Sequence, residues 1–154
     1  MSPEHSTILF RGVPLLLYRK ARSAGLRRFA RELQAGVTGG APFTCLLTND
    51  KELRRLNRDF LQQDHATDVL SFPGLEGLGE LAISVERAHE QATRFGHSLA
   101  EEIRILMLHG VLHLTGLDHE ADRGRMARVE RGWRIRLGLP PGLTERAKAK
   151  AGGR

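Results

Sequence analysis

The stretch His109-Gly110-Val111-Leu112-His113-Leu114-Thr115-Gly116-Leu117-Asp118-His119 decides how this chain is read. It closes a segment beginning at Leu99 that is apolar around most of a helical circumference: Ile103, Ile105, Leu106, Met107, Leu108, Val111, Leu112 and Leu114. A helix apolar on all sides belongs at the centre of a fold. Ser98 and Glu101 have the spacing of a capping box that starts it, and Gly116 is placed to end it. His109 and His113 are one turn apart, so both imidazoles point the same way. Gly116 lets the chain leave the helix at positive φ, and His119 can then fold back toward the same point. A lone histidine on a buried helix is usually a hydrogen-bonded core residue. Three within eleven residues, with a glycine break before the last, are hard to obtain from packing alone. Three imidazoles suit one Zn²⁺ per chain and leave a fourth position for water, as catalytic rather than structural zinc sites do. Ni²⁺ and Co²⁺ fit the same donors.

Working outward, Thr7 to Val13 has β character and fits an edge strand. Leu15 to Leu33 reads as one helix, with Leu26, Phe29, Ala30 and Leu33 on a face. Phe43 to Thr48 is a buried strand. Asn49 and Glu52 cap a helix carrying Leu53, Leu56 and Phe60. Gln62 to Ala66 is a polar loop. Thr67 to Phe72 and Glu80 to Ser84 are short strands that can pair. A helix from Ser84 stops at Gly96. The last helix, about Glu120 to Leu137, is rich in arginine and is stopped by Leu139-Pro140-Pro141-Gly142. The order of elements predicts an α+β fold, a small mixed sheet packed against the central histidine-bearing helix. It is read as a single domain, 1–154, with its core at about 7–139 and a disordered basic tail at 140–154.

The chain has 154 residues, 40% of them apolar and 27% charged, which is a globular balance. Cys45 is the single cysteine, so no intramolecular disulfide forms; in its apolar run it reads as a small buried hydrophobe. No apolar run approaches the roughly 20 residues of a membrane-spanning helix. Val13 to Tyr18 is short and lacks a cleavage site, so a cytoplasmic location is expected. The formal net charge is +6, which favours polyanions. Aromatic residues make up only 5%, which argues against an extended base-stacking platform. His5, His65, His89 and His97 read as surface or loop residues.

The histidine spacing is that of the metzincin proteases, and the site expected is zincin-like. In those enzymes a glutamate after the first histidine is the general base. Here that position is Gly110, so peptide hydrolysis in the usual zincin manner is excluded. The motif more closely resembles the His-Gly-x-Leu-His-Leu-x-Gly-x-Asp-His pattern of the YbeY family of bacterial endoribonucleases. Leu56-Asn57, Asp64, Thr67-Asp68-Val69-Leu70-Ser71-Phe72-Pro73 and Gly79-Glu80-Leu81-Ala82-Ile83-Ser84 are similar to that family's other blocks. The resemblance runs from about Phe43 to Leu137. It implies a single-strand-specific, metal-dependent endoribonuclease in 16S rRNA 3′-end maturation and ribosome quality control. The partners it implies are ribosomal RNA and components of the small ribosomal subunit.

The resemblance also implies an arginine four residues after Asn57. Leu61 stands there, and Arg58, three residues earlier on the same helix, is the candidate substitute. Aspartate is more usual in the family at Glu80, and proline at Ala66. The Leu61 departure keeps a second reading open, a ribosome-associated RNA-binding protein with a metal site but weak or no catalysis. Asp118 is a candidate general base or ligand partner, and equally a turn or cap residue. Asp64, Asp68 and Glu80 are candidates to hold a ligand histidine's second nitrogen. Two routes of RNA cleavage stay open, attack of activated water on phosphorus or deprotonation of the ribose 2′-OH. Substrate affinity is expected from Arg22, Arg27, Arg28 and Arg31 and from Arg123, Arg125, Arg128, Arg131, Arg134 and Arg136.

Overall fold

The computed structural model describes residues 5–61, 67–75, 77–117 and 123–146. Strands β1 (Thr7–Phe10), β2 (Phe43–Thr48), β3 (Val69–Pro73) and β4 (Gly79–Ser84) form a four-stranded sheet in the order β1-β2-β4-β3. β1, β2 and β4 are parallel, with Cys45 facing Ile8 on one side and Leu81 on the other. β3 is antiparallel to β4, with Leu70 opposite Ala82. The sheet is therefore mixed, as expected.

Alternation along the strands divides the molecule. Phe43, Cys45, Leu47, Leu81 and Ile83 face a large core that includes α5 (Leu99–Leu114). Leu46, Leu70, Phe72 and Ala82 face the other way and meet Leu53 of α3 (Asp50–Leu61) in a smaller cluster. The main core also takes side chains from α1 (Leu15–Arg22), α2 (Leu26–Gly36), α4 (Val85–Phe95) and α6 (Arg125–Arg136). Helix α5 is buried nearly all round, and the Ser98–Glu101 capping box is complete in both directions.

Gly110 explains how closely α5 lies on the sheet. A Cβ there would come within 2.7 Å of Leu81 Cδ2 and 3.2 Å of Val69 Cγ2. The Ser71 hydroxyl also donates to the Gly110 carbonyl at 3.1 Å. The position a zincin would give to glutamate here faces β3 and β4.

Three expectations need correction. The helix expected from Leu15 to Leu33 is two helices, broken where Gly25 takes φ 67° ahead of Leu26. Residues 140–146 are not a loose tail: they pack on the protein as a strap that ends in a helical turn at 143–146, with Thr144 buried. His97 lies in the loop between α4 and α5 but is not a surface residue, because its side chain is 8% exposed and bonds to Glu102. No helix among the described residues is long and apolar enough to cross a membrane.

Candidate metal centre

The last two turns of α5 carry His109, which is buried, and His113, which is partly exposed. Their Nε2 atoms approach to 3.2 Å, with ring planes at 75°. His109 turns its other nitrogen away, toward Glu130 of α6: Nδ1 to Oε2 is 2.6 Å. A carboxylate there fixes the tautomer with the proton on Nδ1 and the lone pair on Nε2. At 3.2 Å, His113 Nε2 either donates its own N–H to that lone pair or offers a second lone pair to a shared cation. Nitrogen ligands about 2.0–2.1 Å from a tetrahedral zinc lie about 3.3 Å from each other. The donor set and its spacing therefore fit Zn²⁺, and the carboxylate–histidine pair is the usual outer support of such a ligand.

Glu130 is itself fully held. Oε1 accepts from the Thr144 backbone N–H at 3.2 Å and from the Thr144 hydroxyl at 2.9 Å. Burial pushes its carboxyl up, but the His109 hydrogen bond and charge, with the Thr144 bonds, bring it below the usual carboxylate value. Sequence reading missed Glu130. It lies among arginines on a polar helix, and its spacing from His109 carries no local signal.

His119 and Asp118 lie outside the described residues. Among the described residues no group of three or more His, Cys, Asp or Glu gathers to hold a metal. Three residues proposed as partners for the ligand histidines are placed as follows. Asp64 is outside the described residues. Asp68 is half-buried with its carboxyl pushed up by burial, in a neighbourhood that contains Arg87, Glu102 and Arg146. Glu80 is exposed on the sheet face opposite Leu81, the face away from α5. For His109, the carboxylate on the second nitrogen is that of Glu130.

Arg58 is on α3, which packs on the sheet face away from α5, and its Nε bonds Asp59 at 3.2 Å. Leu61, the last residue of α3, is exposed. Cys45 is fully buried and its thiol is pushed up to about 12, so it is no nucleophile at neutral pH. Arg22, Arg27, Arg28 and Arg31, and Arg123, Arg125, Arg128, Arg131 and Arg136, are exposed. Arg134 is instead bound to Glu145 through two hydrogen bonds of 2.7 and 2.8 Å.

The family model described as Endoribonuclease YbeY matches residues 19–135. An Endoribonuclease YbeY of Solibacter usitatus is 60% identical over 149 residues, covering 96% of this chain and 99% of the relative. One from Koribacter versatilis is 52% identical over 119 residues, covering 76% of this chain and 77% of the relative. The solution structure of TM1509 from Thermotoga maritima superposes with a TM-score of 0.55 at 27% identity, over 82% of this chain and 85% of that one. With a histidine pair supported by a buried carboxylate at the end of its central helix, and with matches of this extent, the chain belongs to the YbeY family.

Proposed function

We propose that this protein is a metal-dependent endoribonuclease that cuts single-stranded RNA, with 16S rRNA precursors and the small ribosomal subunit as its setting. The observation that carries the reading is the meeting of His109 and His113 at 3.2 Å, with Glu130 holding the far nitrogen of His109. That arrangement occurs in a chain whose relatives bear the name Endoribonuclease YbeY.

His109, His113 and His119 would hold one Zn²⁺. When bound, such an ion polarises a phosphoryl oxygen and lowers the pKa of its water to about 7. The protein's own part is orientation and binding. Glu130 keeps the His109 Nε2 lone pair aimed outward from α5. Gly110 supplies no side chain, so a proton acceptor has to come from elsewhere, and Asp118 beside His119 is the candidate. The exposed arginines of α1, α2 and α6 supply charge for the RNA backbone. Arg58, exposed on α3, is the candidate for a contact with the RNA backbone.

The second reading, an RNA-binding protein with weak or no catalysis, draws on one feature: an apolar, exposed Leu61 where the resemblance implies an arginine. One assay separates the two. Purified protein should carry about one zinc per chain. It should cut single-stranded RNA, stop when a chelator is added, and recover with Zn²⁺. His113→Ala should lose both metal and cutting. Protein that carries zinc and binds RNA but leaves it intact would favour the binding reading.

A further inference from the structure

We propose that Thr144 is a positioning residue for His109, acting through Glu130, and that the 139–146 strap exists in part to deliver it. The inference rests on the reading of His109 as a metal ligand.

Glu130 is fully buried, and its two oxygens are divided between two jobs. Oε2 meets His109 Nδ1, and Oε1 takes both donors of Thr144. The last torsion of a glutamate is soft. A carboxylate held only at His109 could therefore swivel, and the imidazole would swivel with it. Two bonds from one residue to the other oxygen remove that freedom. The strap also approaches without a side chain in the way: a Cβ on Gly142 would collide with Glu130 Oε1.

The strap is tied down on both sides of Thr144. Glu145 is held by the Arg134 guanidinium. Arg146 donates to both oxygens of buried Glu102, at 2.9 and 2.6 Å, and lies 4.2 Å from the centre of the Phe95 ring. These anchors sit on α6 and on the α4–α5 corner, so the strap spans the elements that carry Glu130 and His109. The chain of contacts is then strap to Thr144, Thr144 to Glu130, Glu130 to His109.

The test compares Thr144→Val, which keeps the shape and the backbone donor but loses the hydroxyl, with Thr144→Ser, which keeps both donors. Two quantities are read. One is Co²⁺ and Zn²⁺ affinity by titration, under conditions where circular dichroism shows all variants folded. The other is the His109 tautomer in metal-free protein, from the ring ¹⁵N shifts at alkaline pH. The expected result is about tenfold weaker metal binding for Thr144→Val, in the range set by loss of outer support. Its His109 should be a mixture of tautomers, where the wild type shows the proton on Nδ1. Thr144→Ser should restore both. Wild-type affinity together with a wild-type tautomer in Thr144→Val would overturn the proposal. If wild-type protein itself binds neither metal, the metal reading fails, and the tautomer alone then decides whether Thr144 positions His109.

Discussion

At the scale of single residues, Gly110 and Glu130 define the site between them. Gly110 lets α5 settle against Leu81 and Val69, which brings the histidine turn down onto the sheet. Gly110→Ala would gain about 1 kcal/mol of helix propensity. It must also force a Cβ against Leu81, which is 1% exposed and has little room to move, and such overpacking costs about 1–3 kcal/mol. A net loss of stability is expected, read as a lower denaturant midpoint at unchanged slope. Glu130→Gln tests the other residue. The amide cannot accept from His109 and from both Thr144 donors at once, so metal affinity should fall 10- to 100-fold in a zinc competition titration.

At the scale of elements, α5 is the axis on which the site depends. Its N-terminus is fastened by Ser98 and Glu101, each bonding the other's backbone N–H, at 3.1 and 3.0 Å. Glu101 sits below the usual carboxylate value, mainly because of the Ser98 backbone hydrogen bond. Ser98→Ala should cost about 1 kcal/mol of global stability, visible as a lower thermal midpoint. The histidines lie at the other end of the helix, so the metal stoichiometry of the folded variant should not change. The weaker box at α3 behaves differently. Asn49 Oδ1 accepts from the Glu52 backbone at 2.7 Å, but the Glu52 carboxylate turns to Arg55 instead. The same spacing in sequence thus gave a closed box at one helix and half of one at the other, because a basic neighbour competed for the acid.

At the scale of the whole molecule, a net charge of +6 and exposed arginines on α1, α2 and α6 should make RNA binding salt-dependent. With about five phosphates neutralised, raising salt from about 50 to about 200 mM should weaken single-strand binding about a hundredfold. Fluorescence anisotropy against log salt gives the slope, and a flat line would remove the arginines from substrate binding.

What the sequence determined by itself is what repeats locally. The all-round apolar pattern identified α5, the one-turn spacing aligned His109 with His113, and short apolar runs identified β2, β3 and β4. Proline and glycine marked most ends. Gly25 was missed because the face that marked the helix, Leu26, Phe29, Ala30 and Leu33, lies wholly after the break, where φ turns positive. Only the tertiary structure decided which acid serves His109. Glu130, Thr144 and Glu102 look like ordinary polar residues along the chain. Their meaning comes from burial, which forces each carboxylate to find donors on distant segments. For the same reason residues 140–146, the start of a basic stretch that reads as a tail, are drawn onto the protein: Thr144 and Arg146 are the partners that two buried acids require.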